Sequence, residues 1–124
     1  MAWKFDNNMP IYIQITNTIK LQIVTNQLKP GDKLPTVRDL AEIAGVNPNT
    51  VQRALSDLEA EGFVYSVRTT GRYVTDNQEL ITQTRLHLAQ KELENFINNM
   101  LDLGFSQDEL TERLDDYLKG ISYE

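Results

Sequence analysis

A chain of 124 residues, 40% hydrophobic and 24% charged, carries enough apolar material for one modest core with an appendage, which excludes a disordered or fibrous protein. Without a single cysteine it has no disulfide framework, no thiolate zinc site and no cysteine nucleophile, so a stable assembly must rest on packing. A net charge of −6, taken whole, argues against a phosphate-rich partner.

That charge is unevenly placed. Residues 1–77 hold eight basic and eight acidic side chains, and the whole excess of acid lies in residues 78–124, where Arg85, Lys91, Arg113 and Lys119 face ten acids. A neutral head with an acidic tail assigns phosphate contact to the head, and the same acidity also serves to keep the tail soluble; both readings stand. No apolar run approaches the length of about 18 residues that spans a bilayer. The opening Met1-Ala2-Trp3-Lys4-Phe5-Asp6 lacks the apolar stretch and small-residue cleavage site of a signal peptide, so a cytoplasmic protein without membrane contact is expected.

From Pro10 to about Gln27, Tyr12, Ile15, Ile19 and Ile23 recur at helical spacing, and Pro10 suits a first helical position. Ile11, Ile13 and Ile15 also alternate as a strand would, which leaves the opening turn ambiguous. The run Leu28-Lys29-Pro30-Gly31-Asp32 stops the helix. Thr36 with Asp39 approximates a capping box, Val37, Leu40, Ala41 and Ala44 form the inward stripe, and Gly45 ends a helix of barely two turns. Asn47 caps and Pro48 opens the next helix, whose inward positions are Val51, Ala54, Leu55 and Leu58 before Gly62. The connection Ala44-Gly45-Val46-Asn47 has the length of the tight turn in a DNA-binding helix-turn-helix, with Val46 plugging the corner.

Phe63 to Arg68 is β-branched and aromatic, and Arg72 to Thr75 answers it across Thr69-Thr70-Gly71, which makes a hairpin and hence a winged helix-turn-helix. Near Asp76, with Glu79 three residues on, another capping box opens a long helix repeating Leu86, Ala89, Leu93, Phe96, Met100 and Leu103 until Gly104. Ser106 with Glu109 starts a last helix carrying Leu110, Leu114, Tyr117 and Leu118, closed by Lys119 and Gly120. The fold class is α+β, mainly α. Residues 1–76 form an N-terminal winged helix-turn-helix, and residues 77–124 form a short two-helix dimerisation tail.

Once core positions are assigned, Asn49, Thr50, Gln52 and Arg53 are left over in the first two turns of the third helix. Asn and Gln can bond adenine bidentately, Arg guanine, and Thr a phosphate or a thymine methyl. A solvated polar face would look the same on that helix taken alone. The tight turn before it and the wing after it favour nucleic acid, because recognition helices reach bases mainly through their N-terminal residues.

The runs Pro10-Ile11-Tyr12-Ile13-Gln14-Ile15, Leu28 to Ala41 (LKPGDKLPTVRDLA), Val46 to Leu55 (VNPNTVQRAL) and Leu58-Glu59-Ala60-Glu61-Gly62 resemble the GntR family of bacterial regulators over residues 10 to about 75. The short tail is similar to that of its YtrA-type subgroup. The resemblance implies a homodimeric transcriptional regulator, usually a repressor, often set beside transporter genes. It also implies that Arg38 contacts a phosphate or base and that Asn47, Asn49 and Thr50 begin the recognition helix. Gln52 stands where many relatives have arginine, with Arg53 following, so base preference does not transfer. The wing tip has one glycine, Gly71, where relatives often have two, and Arg72 is the candidate to enter the minor groove.

The expected DNA contacts are therefore Arg38, Asn47, Pro48, Asn49, Thr50, Gln52, Arg53, Gly71 and Arg72, made to a double-stranded operator. The expected dimer contacts are Leu86, Leu93, Phe96, Ile97, Met100 and Leu114, because apolar stripes this long exceed what the two tail helices can cover for each other. No catalytic residue, metal or cofactor is expected. His87 stands alone, Asp115 and Asp116 lack the spacing of a calcium loop, and no nucleophile-base constellation occurs. Trp3 and Phe5 read as an arm packing on the domain or joining the dimer. The alternative function is a winged helix that binds protein rather than DNA, which the acidic balance favours. A small-molecule effector stays open, since two tail helices offer little room for a pocket.

Overall fold

Helix α1 (Ile11–Val24) follows an irregular N-terminal arm in the computed structural model, which describes residues 3–122. The outer ends of both expected domains, Met1-Ala2 and Tyr123-Glu124, lie outside the described residues, as does the start of the segment read for a signal peptide. The helical reading wins over the strand reading: Ile15 is buried, Ile13 half-buried and Ile11 exposed. Pro10 stands just before the helix, its carbonyl accepting from the N–H groups of Ile13 (3.1 Å) and Gln14 (3.3 Å). The Gln14 amide clamps the arm, accepting from the Asp6 N–H (3.0 Å) and donating to the carbonyls of Asp6 (2.9 Å) and Met9 (2.7 Å). The helix ends before the expected Gln27. Asn26 adopts a left-handed φ of 66°, and the Leu28 N–H turns back to the Gln22 carbonyl at 2.9 Å, so the break precedes the Pro-Gly pair.

Helix α2 (Val37–Ala44) begins at Thr36, whose hydroxyl accepts from the Asp39 N–H at 3.1 Å, and ends at Gly45 with φ 75°. Helix α3 (Pro48–Ala60) begins at Asn47, whose side-chain oxygen accepts from the Asn49 N–H at 2.8 Å, with Pro48 in the first helical position. It packs on α1 and α2 through Val51, Ala54, Leu55 and Leu58, all at most 1% exposed. Truncating Leu55 or Leu58 to Ala would cost about 2–5 kcal/mol through lost burial and a residual cavity.

The wing pairs β1 (Val64–Val67) antiparallel to β2 (Gly71–Val74), with Val64 opposite Val74 and Val67 opposite Gly71. Gly71 thus starts a strand instead of sitting in the turn, which is made by Arg68, Thr69 and Thr70, with Thr69 at φ 67°. A further segment joins the other edge of β2. The N–H of Gly31 bonds the Val74 carbonyl (2.9 Å), that of Val74 the Asp32 carbonyl (2.8 Å), and that of Leu34 the Arg72 carbonyl (2.9 Å), while Lys33 bridges Tyr73.

Helix α4 (Gln78–Asp102) is capped by Asn77, whose side chain accepts from the Leu80 N–H at 3.1 Å. The expected Asp76 is displaced one residue because buried Thr75 accepts the Asn77 N–H (3.0 Å) and sets that turn. Gly104, at φ 94°, ends the run, and Ser106 and Glu109 then form a reciprocal capping box at 3.2 and 3.1 Å for α5 (Gln107–Ser122). That helix runs through Gly120, which keeps helical backbone and does not close it.

The chain resolves into two compact units, Met1–Arg85 and Leu86–Glu124, dividing inside α4. The first turns of α4 belong to the head by packing, since Ile81 is buried and a Leu80 methyl lies 3.6 Å from where a Cβ of Gly62 would stand. In the second unit Leu110 is buried and Phe96 and Met100 are half-buried. Among the described residues, no helix is long and apolar enough to cross a membrane.

Candidate nucleic-acid interface

Asn49, Gln52 and Arg53 are exposed on the first two turns of α3 and Thr50 is half-buried, because Val51, Ala54 and Leu55 point the opposite face into the core. Their states differ. The Asn47 side-chain oxygen is committed to the cap, and the Asn49 side chain has no hydrogen-bond partner among the described residues. Gln52 donates to Ser56 Oγ at 3.3 Å within its own helix. The Arg53 guanidinium lies over the Tyr12 ring, 3.7 Å from its centroid, and donates to the Tyr12 hydroxyl at 3.0 Å.

Pro48 and the exposed Asn47 and Asn49 surround the α3 N-terminus, whose first N–H groups are taken by Asn47, that of Asn49 by its side chain and those of Thr50 and Val51 by its carbonyl, so what favours an anion there is the helix dipole. The acids come only toward and just past the far end of α3, Asp57 and Glu59 within it and Glu61 at its C-cap. Glu61 pairs with Lys20 (3.3 Å), while Glu59 accepts from Ser66 Oγ (2.6 Å) and faces Arg72. Arg38 is exposed in the first turn of α2, where the helix dipole gives a cation no advantage, and it has no carboxylate partner among the described residues.

Arg72 is not brought to the wing tip. It lies half-buried on β2 and faces α3, its Nε 3.5 Å from Glu59 Oε1 yet without a hydrogen bond, beside a shallow cleft lined by Ser56, Glu59, Ala60 and Ser66. Gly71 instead leaves room for Lys33, whose Cε lies 3.0 Å from where a Cβ would stand. The exposed cation of the tip is Arg68, beside Thr69 and Thr70. Sequence reasoning passed over both Lys33 and Arg68. The position of Arg68 at the end of a β-branched run was a readable signal, whereas Lys33 is brought in by a pairing that no local pattern announces.

Leu86 (63% exposed), Leu93 and Ile97 on α4 and Leu114 on α5 stand exposed in the single chain, as do Leu103 (73%) and Tyr117 (69%). Phe96 and Met100 are half-buried.

A profile of bacterial regulatory proteins of the gntR family matches residues 11–74. The chain is 36% identical to the HTH-type transcriptional repressor YtrA of Bacillus subtilis over 117 residues, 94% of this chain and 87% of that protein. A GntR family transcriptional regulator from Listeria monocytogenes superposes with a TM-score of 0.81 at 40% identity, covering 90% of this chain and 98% of the other. The DNA-binding domain of AraR, solved in complex with an operator, superposes with a TM-score of 0.53 at 30% identity, covering 60% of this chain and 92% of that one.

Proposed function

Because the chain belongs to the gntR family of bacterial regulatory proteins, in its YtrA-type subgroup, we propose that this DNA-binding transcriptional regulator represses its target genes by occupying a two-fold symmetric operator as a homodimer. The single observation that carries the reading is the polar face of α3. Asn49, Gln52 and Arg53 stand exposed on its first turns while Val51, Ala54 and Leu55 are buried on the opposite face. In this reading α3 enters the major groove, Arg38 and Lys33 hold phosphates, and the wing tip at Arg68 approaches the neighbouring minor groove.

Dimerisation is assigned to residues 86–122, the exposed Leu86, Leu93, Ile97 and Leu114 meeting the same surface of a second copy, with Phe96 and Met100 contributing. The similar YtrA is a transcriptional repressor, and the AraR DNA-binding domain was solved on an operator; both support the reading. No chemistry on a substrate is assigned to the chain, and it acts where its operator is, in the bacterial cytoplasm.

The test is selection of bound sequences from a randomised duplex library by the purified chain, followed by footprinting and stoichiometry. Two chains on one palindromic site support the reading; an asymmetric site holding one chain contradicts it.

A further inference from the structure

We infer that Tyr12 is a positioning residue for base selection, holding Arg53 in the orientation from which it reads DNA; the inference rests on the assignment of Arg53 to the base-reading face. Tyr12 lies on α1 and Arg53 on α3, 41 residues apart, yet two contacts join them: the guanidinium carbon 3.7 Å from the ring centroid and Nη2 donating to the hydroxyl at 3.0 Å. The ring face supports the guanidinium from one side, and the hydroxyl fixes which N–H turns inward. The other guanidinium donors have no partner among the described residues.

Among the described residues no carboxylate comes within 4 Å of the Arg53 guanidinium, not even that of Asp57 one turn further along α3. The ion pairs nearby engage Glu59 of α3 with Arg72 and the C-cap Glu61 with Lys20 instead. An arginine stacked and hydrogen-bonded but left without a counter-charge keeps both its charge and its free donors for something else. A long side chain that is already ordered also loses less rotamer freedom when it docks bidentately on a base edge. Gln52 lacks such a support, since its one side-chain bond goes to Ser56 on its own helix. The Tyr12–Arg53 pair therefore makes one position of the operator more stringently read than a free arginine would.

The full chain, and variants checked by thermal melting, are assayed on the duplex selected from a randomised library and on its single-base-pair substitutions. Arg53→Ala flattens the preference at one position. Tyr12→Leu, removing both contacts, lowers the preference at that same position about tenfold, and Tyr12→Phe, keeping the ring face, lowers it about threefold. Neither changes the salt dependence, and Tyr12→Leu with Arg53→Ala is no flatter than Arg53→Ala alone.

A folded Tyr12→Leu that keeps the full preference overturns the inference, as does a further loss on adding it to Arg53→Ala. If Tyr12→Leu does not fold, Tyr12→Phe decides: a threefold loss supports the role and no loss overturns it. Should Arg53→Ala leave every base preference intact, the assignment of Arg53 fails and the role of Tyr12 with it. Should Arg53→Ala flatten one position while neither Tyr12 variant does, only the role of Tyr12 fails.

Discussion

Glu59 on the last turn of α3 holds Arg72 on β2 across 3.5 Å while accepting a 2.6 Å hydrogen bond from Ser66 on β1, so one carboxylate ties both strands of the wing to the recognition helix. The attraction to Arg72 is Coulombic rather than a formed hydrogen bond, and the Glu59 side chain is 42% exposed, so the pair belongs on the scale of about 0.2–1 kcal/mol. Arg72→Ala also loses the packing of its stem and should destabilise the head by about 1 kcal/mol. Arg68→Ala at the wing tip should leave stability within about 0.5 kcal/mol of the parent and lower the salt slope of DNA binding by about one. Thermal melts and binding titrations over a salt series read both. The reverse pattern would place Arg72 in the groove.

Arg38 gains nothing from the start of a helix and has no carboxylate within 4 Å among the described residues, which suits a phosphate contact. Arg38→Ala should weaken binding to selected and random duplexes alike and reduce the salt slope by about one unit. A loss confined to one base pair, with the slope unchanged, would make Arg38 a base reader.

The dimer assignment predicts that a chain ending at Arg85 is monomeric at micromolar concentration by sizing, because it lacks every exposed leucine of residues 86–122. A chain ending at Asp76 should be monomeric too, but less stable by about 2–3 kcal/mol, since it also removes the buried Ile81. A dimer of the Arg85 truncation would move the interface to the head.

A symmetric dimer presents Asn49, Gln52 and Arg53 twice, so half-site centres should lie about 34 Å apart, one turn of about 10 base pairs, or a multiple. With a head of zero net charge and an acidic tail, binding to random duplex should be weak, and specific contacts should supply most of the affinity. Comparable affinity for random and selected duplexes would contradict this.

What the sequence made legible were features decided within one turn of chain. Thr36, Asn47 and the Ser106–Glu109 box cap helices through side chains reaching two or three residues, and the α3 stripe Val51, Ala54, Leu55, Leu58 follows from periodicity alone. Where a neighbour competed, the reading slipped. Asn77 displaced Asp76 because Thr75 took its N–H, and Asn26 turned left-handed before Pro30 was reached. Illegible altogether were partners chosen across the fold: Tyr12 for Arg53, Glu59 for Arg72, and residues 31–34 for the outer edge of β2. The residue types at the candidate interface could be picked out, but which of them are supported, and by what, depends on contacts between distant segments.

The pairing of residues 31–34 with β2 bears on where the chain can change length. Gly31 and Leu34 are bonded to Val74 and Arg72 of the same strand, Leu34 is buried, and Thr36 caps α2 two residues later, so an insertion or deletion there would shift Arg38 against the wing. The turn at Arg68, Thr69 and Thr70 is exposed and is closed by bonds from Thr70 to the Val67 carbonyl. Length variation among descendants of this sequence should therefore collect at the wing tip and spare the short stretch before α2.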